Sequence, residues 1–260
     1  MRTKIEITFI SISFIFTALL FILFGSLFVI ITPSDFINSV LSYEMLYALQ
    51  LTLFTSIVST SLVMLFAIPT AYSLSRYSFP FKSIIKSILS MPIAVSEIVI
   101  GIALLMLLGN TLLGGPLQKL GINFIFTTTG IVVAQFFVAI PFAIRILYSI
   151  FNYVHPRYEF VSRSLGYSEL ETLKNVTFPI ARNGILAASI VTLARCIGTF
   201  AAVLFVAGGT YLKTETLTIA LYLNLSYGNI NMAITAGILL VIISFIAVFV
   251  LEKYVKETYE

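Results

Sequence analysis

The sequence predicts an all-α integral membrane protein with six transmembrane helices. Hydrophobic residues make up 59% of the 260 residues and charged residues only 10%, whereas a soluble domain is about a quarter charged. Apolar runs of roughly 18 residues or more, the length that crosses a bilayer as a helix, recur along the chain. Lysine and arginine are concentrated in alternate loops between these runs, which is typical of a polytopic membrane protein.

Six apolar runs define the spans. The first follows Arg2 and Lys4, but it is too long for the apolar core of a secretory signal, so we interpret it as a retained membrane helix. An acidic loop follows the first span, a basic turn the second, a glycine-rich loop the third and a long polar stretch the fourth. A shorter apolar run, 217–225, predicts a short helix before the last span. The predicted spans are Phe9–Ile31, Leu46–Leu74, Ile88–Leu108, Thr128–Phe151, Asn183–Ala207 and Met232–Tyr254.

The basic residues also predict the orientation. Only Lys119 and Lys213 fall in loops on one side of the predicted membrane. Because cytoplasmic loops carry an excess of Lys and Arg, both termini and the polar segment, residues 155–179, are predicted to be cytoplasmic. The residues on that side are Arg2, Lys4, Arg76, Lys82, Lys86, Arg157, Arg163, Lys174, Arg182, Lys253 and Lys256.

The polar segment carries local signals for two short helices. Pro156 suits the first turn of a helix, and Gly166 suits its left-handed C-terminal cap. Ser168 and Glu171 form the S-x-x-E pattern of a capping box, which starts a second helix. His155 precedes the first helix, where we expect a cap or loop role rather than proton chemistry.

An apolar face on this segment predicts a contact surface. Phe160, Val161 and Leu165 recur at three- to four-residue spacing. Such a face fits a groove on another protein, and the alternative is that it lies on the bilayer surface. The mixture of acidic and basic residues beside it argues mildly against an anionic lipid surface, which favours a uniformly basic face.

Two ionisable residues lie deep in predicted spans, Glu97 and Arg195. Glu97 follows Lys86 by eleven residues and Arg195 follows Asn183 by twelve, so at 1.5 Å per residue both lie about 16–18 Å from the cytoplasmic edge. Equal depth and opposite charge predict a structural ion pair, because unpaired charges in a bilayer are costly. The alternative is that Arg195 makes a pathway attractive to an anion. Arg145, nearer the cytoplasmic end, is interpreted as reaching the interface.

The fifth span is the candidate pathway wall. Small residues repeat along it every four positions, which permits close helix packing or lets one stripe face a symmetry mate across a pore. One stripe is Gly184, Ala188, Thr192 and Cys196, and the other is Ala194, Gly198 and Ala202. The candidate pathway residues are therefore Thr192, Gly198 and Thr199, together with Glu97 and Arg195.

The composition argues against an enzyme. A membrane-embedded enzyme needs several catalytic or metal-binding groups at one depth. The chain has one histidine, one cysteine and, deep within its predicted spans, one carboxylate, Glu97, so we predict no catalytic residue and no metal site. The net charge of +4 comes with basic residues that set topology, so nucleic-acid binding is not expected. An assembly or receptor protein without transport activity remains an alternative.

Residues 158–180 resemble the cytoplasmic coupling loop of ABC importer permeases. That loop has roughly the form L-E-E-A-A-R-S-L-G, a spacer, and V-x-L-P. Phe160, Val161 and Ser162 stand where the family has Glu-Ala-Ala. The residues that match in register are Glu159, Arg163, Ser164, Leu165, Gly166, Val176 and Pro179.

The following span and loop resemble the permeases for molybdate, tungstate and sulfate. Their form is roughly A-R-x-x-G-E-F-G-A, a glycine-containing loop, and T-x-T-L-x-x-A-I-Y. Thr199 stands where that form has Glu, and Ala201 where it has its second Gly. The whole resemblance covers roughly residues 46–250, and the matches in this part are Ala194, Arg195, Gly198, Phe200, Ala202, Thr214, Thr216, Leu217 and Tyr222.

The resemblance implies a type I ABC importer permease fold in the cell membrane. Residues 46–254 would form the permease domain, 1–45 an additional helix with an external loop, and 255–260 a tail. The implied partners are a second copy, two cytosolic ATPases that grip the Glu159–Gly166 helix and Pro179 region, and an extracytoplasmic binding protein. ATP and Mg would be bound by the ATPase, and this subunit would carry no cofactor. The implied substrate is molybdate or tungstate, then sulfate, with phosphate or a polyamine as alternatives.

Overall fold

The computed structural model describes residues 4–109, 114–121 and 123–256, so Arg2 and the end of the predicted tail lie outside it. All regular secondary structure in these ranges is helical. A π-helical turn, Leu173–Thr177, joins α9 to α10. The helices are α1 (Lys4–Ile30), α2 (Pro33–Val40), α3 (Tyr43–Arg76), α4 (Lys82–Ala94), α5 (Glu97–Leu108), α6 (Gly114–Lys119), α7 (Thr128–Tyr153), α8 (Pro156–Ser164), α9 (Glu169–Thr172), α10 (Phe178–Ile197), α11 (Ala201–Ala207), α12 (Leu217–Ser226) and α13 (Ile230–Lys256).

The predicted membrane-protein class is confirmed. Within the described ranges, five helical stretches are long and apolar enough to cross a bilayer: α1, α3, α7, the run Glu169–Ile197 and α13. The pair α4 and α5 becomes a sixth if it is counted as one bent span. The predicted short helix before the last span is α12.

The third span is not the continuous helix that was predicted over Ile88–Leu108. The chain bends by 110° between the two halves of this span, α4 and α5. Val95 is extended, and the Ser96 hydroxyl accepts a hydrogen bond from the Ile98 N–H at 3.4 Å, which caps a new helix. Pro92 lies just before this break, where the missing N–H already weakens α4.

The fifth span is also different from the prediction of Asn183–Ala207. It begins earlier, because α9, the π-helical turn and α10 form one run, and Pro179 lies inside that run in the first turn of α10. It also ends earlier, at Ile197, because Gly198–Phe200 are not helical before α11 begins at Ala201. The hydropathy of the run continues through this break, so composition alone did not reveal it.

The centre of the bundle is formed by α3, α7 and α10. Alanines at their contacts are almost fully buried, which allows the helix backbones to approach closely; these are Ala67, Ala71, Ala139, Ala143 and Ala188. A second close approach joins α5 to α11, where a Cβ on Gly101 would lie 2.9 Å from the Ala202 Cα. The long α1 lies at the periphery and packs against α13.

The first turns of α1 and the last turns of α13 lie at the same end of the bundle as the polar segment. The C-terminal residue of α3, Arg76, contacts Glu159 in the polar segment, whereas Ser42 at the other end of α3 contacts Met232 near the start of α13. The last turns of α13 therefore lie at the polar-segment end, and α1 packs antiparallel to α13 through Leu27 and Gly237. We call the end of the bundle that carries the polar segment the basic end of the molecule.

Candidate functional site

The polar segment folds as two short helices joined at a glycine. His155 caps α8, since its Nδ1 accepts from the Arg157 N–H at 3.2 Å. Gly166 has a φ of +95°, the left-handed conformation that ends the first helix. Ser168 and Glu171 form the predicted capping box, in which the Ser168 N–H donates to Glu171 Oε2 at 2.8 Å. The local signals of the sequence are confirmed here.

One face of this segment is anchored to the bundle. Glu159 is only 4% exposed, and the single Nε–H of Arg76 is shared between its two carboxylate oxygens, at 3.0 and 2.9 Å. Thr177 Oγ1 also donates to Glu159 at 2.9 Å. Arg76 in turn donates to the Val154 carbonyl at 2.7 Å. Ion pair and hydrogen bonds therefore join α8 to the end of α3 and to the helical run that continues as α10.

Two residues predicted to contact a partner lie on this anchored face instead. Glu159 holds the Arg76 guanidinium, and Ser162, also buried, lies 3.1 Å from the Thr172 hydroxyl on α9. Both side chains therefore fix the segment rather than face outward. The sequence could not separate the two roles, because the anchoring partners lie on helices distant along the chain.

The opposite face is apolar and exposed. Phe160 is 72% exposed, Leu165 75% and Leu170 75%, and Val161 is also on the surface. Burial of a Phe or Leu side chain is worth about 1.5–3 kcal/mol, so these residues offer a strong contact to a groove. Around them lies a surface ion pair, Arg163–Glu169 at 3.6 Å.

The structure brings Glu97 and Arg195 together. Arg195 Nη2 lies 2.6 Å from Glu97 Oε1, and the other carboxylate oxygen accepts from the Phe200 N–H at 3.3 Å. The depth argument assumed an unbroken third span, but Glu97 is instead the first residue of α5. Its carboxylate lies at the N-terminal ends of α5 and α11, where helix dipoles favour negative charge.

Arg195 keeps part of its surface open despite this pairing. Its side chain is 35% exposed, compared with 20% for Glu97, and its guanidinium carbon lies 4.9 Å from the centre of the Phe142 ring. Gly198, at the break, is exposed as well. Thr192 and Thr199 are buried, and their hydroxyls donate to carbonyls of the preceding turn. Among the predicted pathway residues, the open surface is thus at Arg195 and Gly198.

A buried polar cluster beside the break was missed by the sequence reasoning. Gln135 on α7 is 1% exposed; it accepts from the Ser59 hydroxyl at 2.8 Å and donates to the Cys196 carbonyl at 3.1 Å. It thereby joins α3, α7 and α10 one residue after Arg195. The available signal was a polar face on the second span, formed at three- to four-residue spacing by Thr52, Thr55, Ser56 and Ser59.

At the end opposite the polar segment, the loop between α11 and α12 buries a carboxyl group. Glu215 is 4% exposed, and burial together with the nearby Glu44 carboxylate raises its pKa to about 7. Glu44 accepts from the Asn224 side chain at 3.0 Å, which ties the start of α3 to α12. This carboxyl group is therefore neutral in part near neutral pH.

Comparison with protein families and curated proteins agrees with this geometry. The family described as "Binding-protein-dependent transport system inner membrane component" matches residues 63–257. The molybdate/tungstate transport system permease protein WtpB of Methanocaldococcus jannaschii is 31% identical over 236 residues, which is 90% of this chain and 92% of WtpB. The sulfate transport protein CysW of Escherichia coli is 31% identical over 79% of this chain and 71% of its own length. The chloroplastic sulfate permease 2 of Chlamydomonas reinhardtii is 34% identical over 76% of this chain, but only 54% of that protein is covered.

Solved structures share the fold. A chain of a bacterial alginate ABC transporter, in complex with a pentasaccharide-bound periplasmic protein, matches with a TM-score of 0.72 at 13% identity and covers 96% of this chain and 94% of its own. The MetNI methionine ABC transporter in inward-facing conformations matches with a TM-score of 0.64 at 18% identity, covering 85% of this chain and 100% of its own. At these identities the likeness concerns the fold alone.

Proposed function

Because the chain belongs to the family of binding-protein-dependent transport system inner membrane components, we propose that it carries an oxyanion, with molybdate or tungstate favoured over sulfate. The chain is a multi-pass inner-membrane permease subunit of an ABC importer, and its fold is the expected type I permease fold. The substrate proposal is supported by relatives that are named for molybdate, tungstate and sulfate. Phosphate and polyamines are not favoured by these relatives.

The feature of the structure that best supports an anionic substrate is the position of Arg195. It lies close to a helix break inside the membrane, near Gly198, and its side chain is 35% exposed. Broken helices within a membrane are tolerated where they line a cavity or pathway. A partly neutralised arginine at such a place attracts an anion without holding it too tightly to be released.

The proposed assembly is a homodimer with two ATPases. Each copy would present one polar segment to one ATPase, with Phe160, Val161 and Leu165 in the groove of that partner. ATP and Mg would be bound there, so this subunit needs no cofactor and catalyses no reaction. An extracytoplasmic binding protein would deliver the substrate, as the periplasmic protein bound to the alginate transporter suggests for this kind of partner. The permease domain would comprise residues 46–254.

The anchored face offers a mechanical route from the ATPase to the pathway. A displacement of α8 acts on Glu159, which is held by Arg76 at the end of α3 and by Thr177 before α10. The α10 helix ends at the break that carries Arg195. Motion of the polar segment would therefore reorient the break and switch the side from which Arg195 is accessible.

Uptake by the reconstituted complete transporter tests the substrate proposal. The chain would be incorporated into liposomes with its ATPase and binding protein, and uptake of labelled molybdate would be measured with ATP inside. We expect saturable, ATP-dependent uptake that tungstate inhibits more strongly than sulfate. Uptake of a sugar or polyamine, with no oxyanion uptake, would contradict the proposal.

A further inference from the structure

A cavity of about 440 Å³ lies between α4 and α7, near the end of α3, at the basic end of the molecule. Its polar lining consists of two cations, Lys86 and Arg145, and three hydroxyl groups, Ser90, Tyr148 and Ser149. Among the residues that the structure describes, no carboxylate contributes to the lining. The volume is many times the ~30 Å³ that one water occupies in the liquid, so a polyatomic ion fits.

The two cations are not neutralised within the described parts of the chain. The ion pairs formed there involve Arg76, Arg163 and Arg195. The Lys86 ammonium lies 4.0 Å from the centre of the Tyr148 ring, which leaves its charge in place. Two unneutralised cations beside one cavity in a membrane protein favour an anion as the occupant.

The cavity continues the open face that begins at Arg195. On α7, Phe142, Arg145 and Ser149 follow each other at three- and four-residue spacing and therefore share one face. Arg195 lies over Phe142, and seven residues of helix separate Phe142 from Ser149, or about 10 Å. An anion that leaves Arg195 toward the basic end would meet Arg145 and Lys86 next. Arg145, Lys86 and Ser149 are exposed, so the cavity opens to the surface of the chain. An exposed Arg145 is compatible with the prediction that this side chain reaches the interface.

We infer that the cavity between Lys86 and Arg145 is a binding site for a tetrahedral oxyanion, bound by the two cations and by hydrogen bonds from Ser90, Tyr148 and Ser149. Guanidinium and ammonium groups with hydroxyl donors suit such an anion. The transported substrate and the phosphate of an anionic lipid headgroup share this chemistry. The inference that the transported substrate binds in this cavity rests on the proposed function.

A cysteine reporter tests the site without requiring transport. The native Cys196 is fully buried, so a neutral maleimide should label the folded Ser149→Cys variant mainly at position 149, with the wild-type chain as the labelling baseline. The purified full-length variant would be placed in phosphatidylcholine nanodiscs. Its labelling rate would be followed against sodium molybdate and sodium sulfate, with sodium chloride keeping the ionic strength constant.

We expect the oxyanions to slow labelling severalfold and saturably. Adding Lys86→Gln or Arg145→Gln should remove this protection, whereas Arg145→Lys should retain part of it. Arg182→Gln, which removes an exposed cation on α10 that does not line the cavity, should leave protection unchanged. Size-exclusion profiles would verify that the variants are folded.

The lipid composition separates the two sources of the anion. If phosphatidylglycerol in the nanodisc protects position 149 and the free oxyanions do not, the occupant is a lipid headgroup. If neither protects, or if protection persists in the Lys86→Gln and Arg145→Gln variants, the inference is overturned. Oxyanion uptake without protection would refute this site alone, whereas protection without oxyanion uptake would refute only the proposed substrate.

Discussion

At the scale of single residues, Glu159 is expected to be the most sensitive position of the polar segment. Its side chain is buried and that of Arg76 is only 9% exposed, so Glu159→Ala leaves an uncompensated charge, at a cost of about 3–5 kcal/mol. The matched control is Glu169→Ala, because the exposed Glu169–Arg163 pair is worth only about 0–1 kcal/mol. Thermal unfolding in detergent would measure both variants. Equal losses of stability would mean that Glu159 does not anchor α8.

Two single variants and the double variant distinguish a structural role of Glu97 and Arg195 from a role in transport. Glu97→Gln and Arg195→Gln should each destabilise the protein by about 1.5–3 kcal/mol, since each removes a charged hydrogen bond. The double variant should regain stability, because two neutral amides can bond to each other. It should not regain oxyanion uptake, because the cation is gone. Wild-type uptake by the double variant would assign Arg195 a purely structural role.

The ion pair between Glu97 and Arg195 could be predicted from the sequence, whereas the contacts of Gln135 could not. The cost of burying a polar group explains both outcomes. A charge in a bilayer is so costly that it demands a partner, and the chain offered only one carboxylate at a similar depth. A neutral amide demands less and has many possible partners, such as hydroxyls and backbone carbonyls. Which of these it meets depends on how α3, α7 and α10 pack.

At the scale of secondary-structure elements, the apolar face of α8 should be required for coupling to the ATPase. Val161→Asp places a charge on that exposed face, whereas Val161→Ala keeps it apolar and serves as the control. We expect the Asp variant to insert and unfold normally but to lose most substrate-stimulated ATP hydrolysis in the assembled transporter. Unchanged hydrolysis would mean that the ATPase binds elsewhere.

The joint between α8 and α9 allows a separate test. Gly166 has a φ of +95° and open space around its Cα, so Gly166→Ala adds only backbone strain of about 1–2 kcal/mol. Gly166→Pro cannot adopt this conformation, because proline holds φ near −65°. We therefore expect graded loss of coupled ATP hydrolysis, small for Ala and complete for Pro. Equal activity of the two variants would show that the joint does not orient α8.

The helix breaks mark the limit of what periodicity and hydropathy can predict. The signals for α8 and α9 are local, since caps and a glycine act on their immediate neighbours, and these elements were predicted correctly. The breaks after Val95 and at Gly198–Phe200 lie inside continuous apolar runs. There the freed backbone groups are satisfied by distant side chains, Glu97 for the Phe200 N–H and Gln135 for the Cys196 carbonyl.

At the scale of the whole molecule, the number of spans and the fold class follow from the properties of the lipid bilayer. A bilayer requires backbone groups to be satisfied within helices and excludes most charges, so composition and run length predict the architecture. The arrangement of helices depends instead on small residues such as Ala67, Ala139 and Ala188, whose contacts are non-local. This explains why the spans could be counted from the sequence, whereas the contacts between the helices could not be predicted.

The stability of the whole fold should vary with pH through Glu215. Its pKa is raised from 4.5 to about 7 by burial and by Glu44, so the folded state binds this proton more tightly than the unfolded state. The resulting stabilisation is complete below pH 4.5 and is lost as the pH rises to about 7.

Glu215→Gln mimics the neutral form, so its melting temperature should exceed that of the wild type at pH 8 and not at pH 4.5. A difference of about 1 kcal/mol corresponds to roughly 2–4 °C, and Glu44→Gln should shift the wild-type transition to lower pH. A Glu215→Gln variant whose melting temperature follows the wild type at every pH would show that this carboxyl group is ionised in the folded protein.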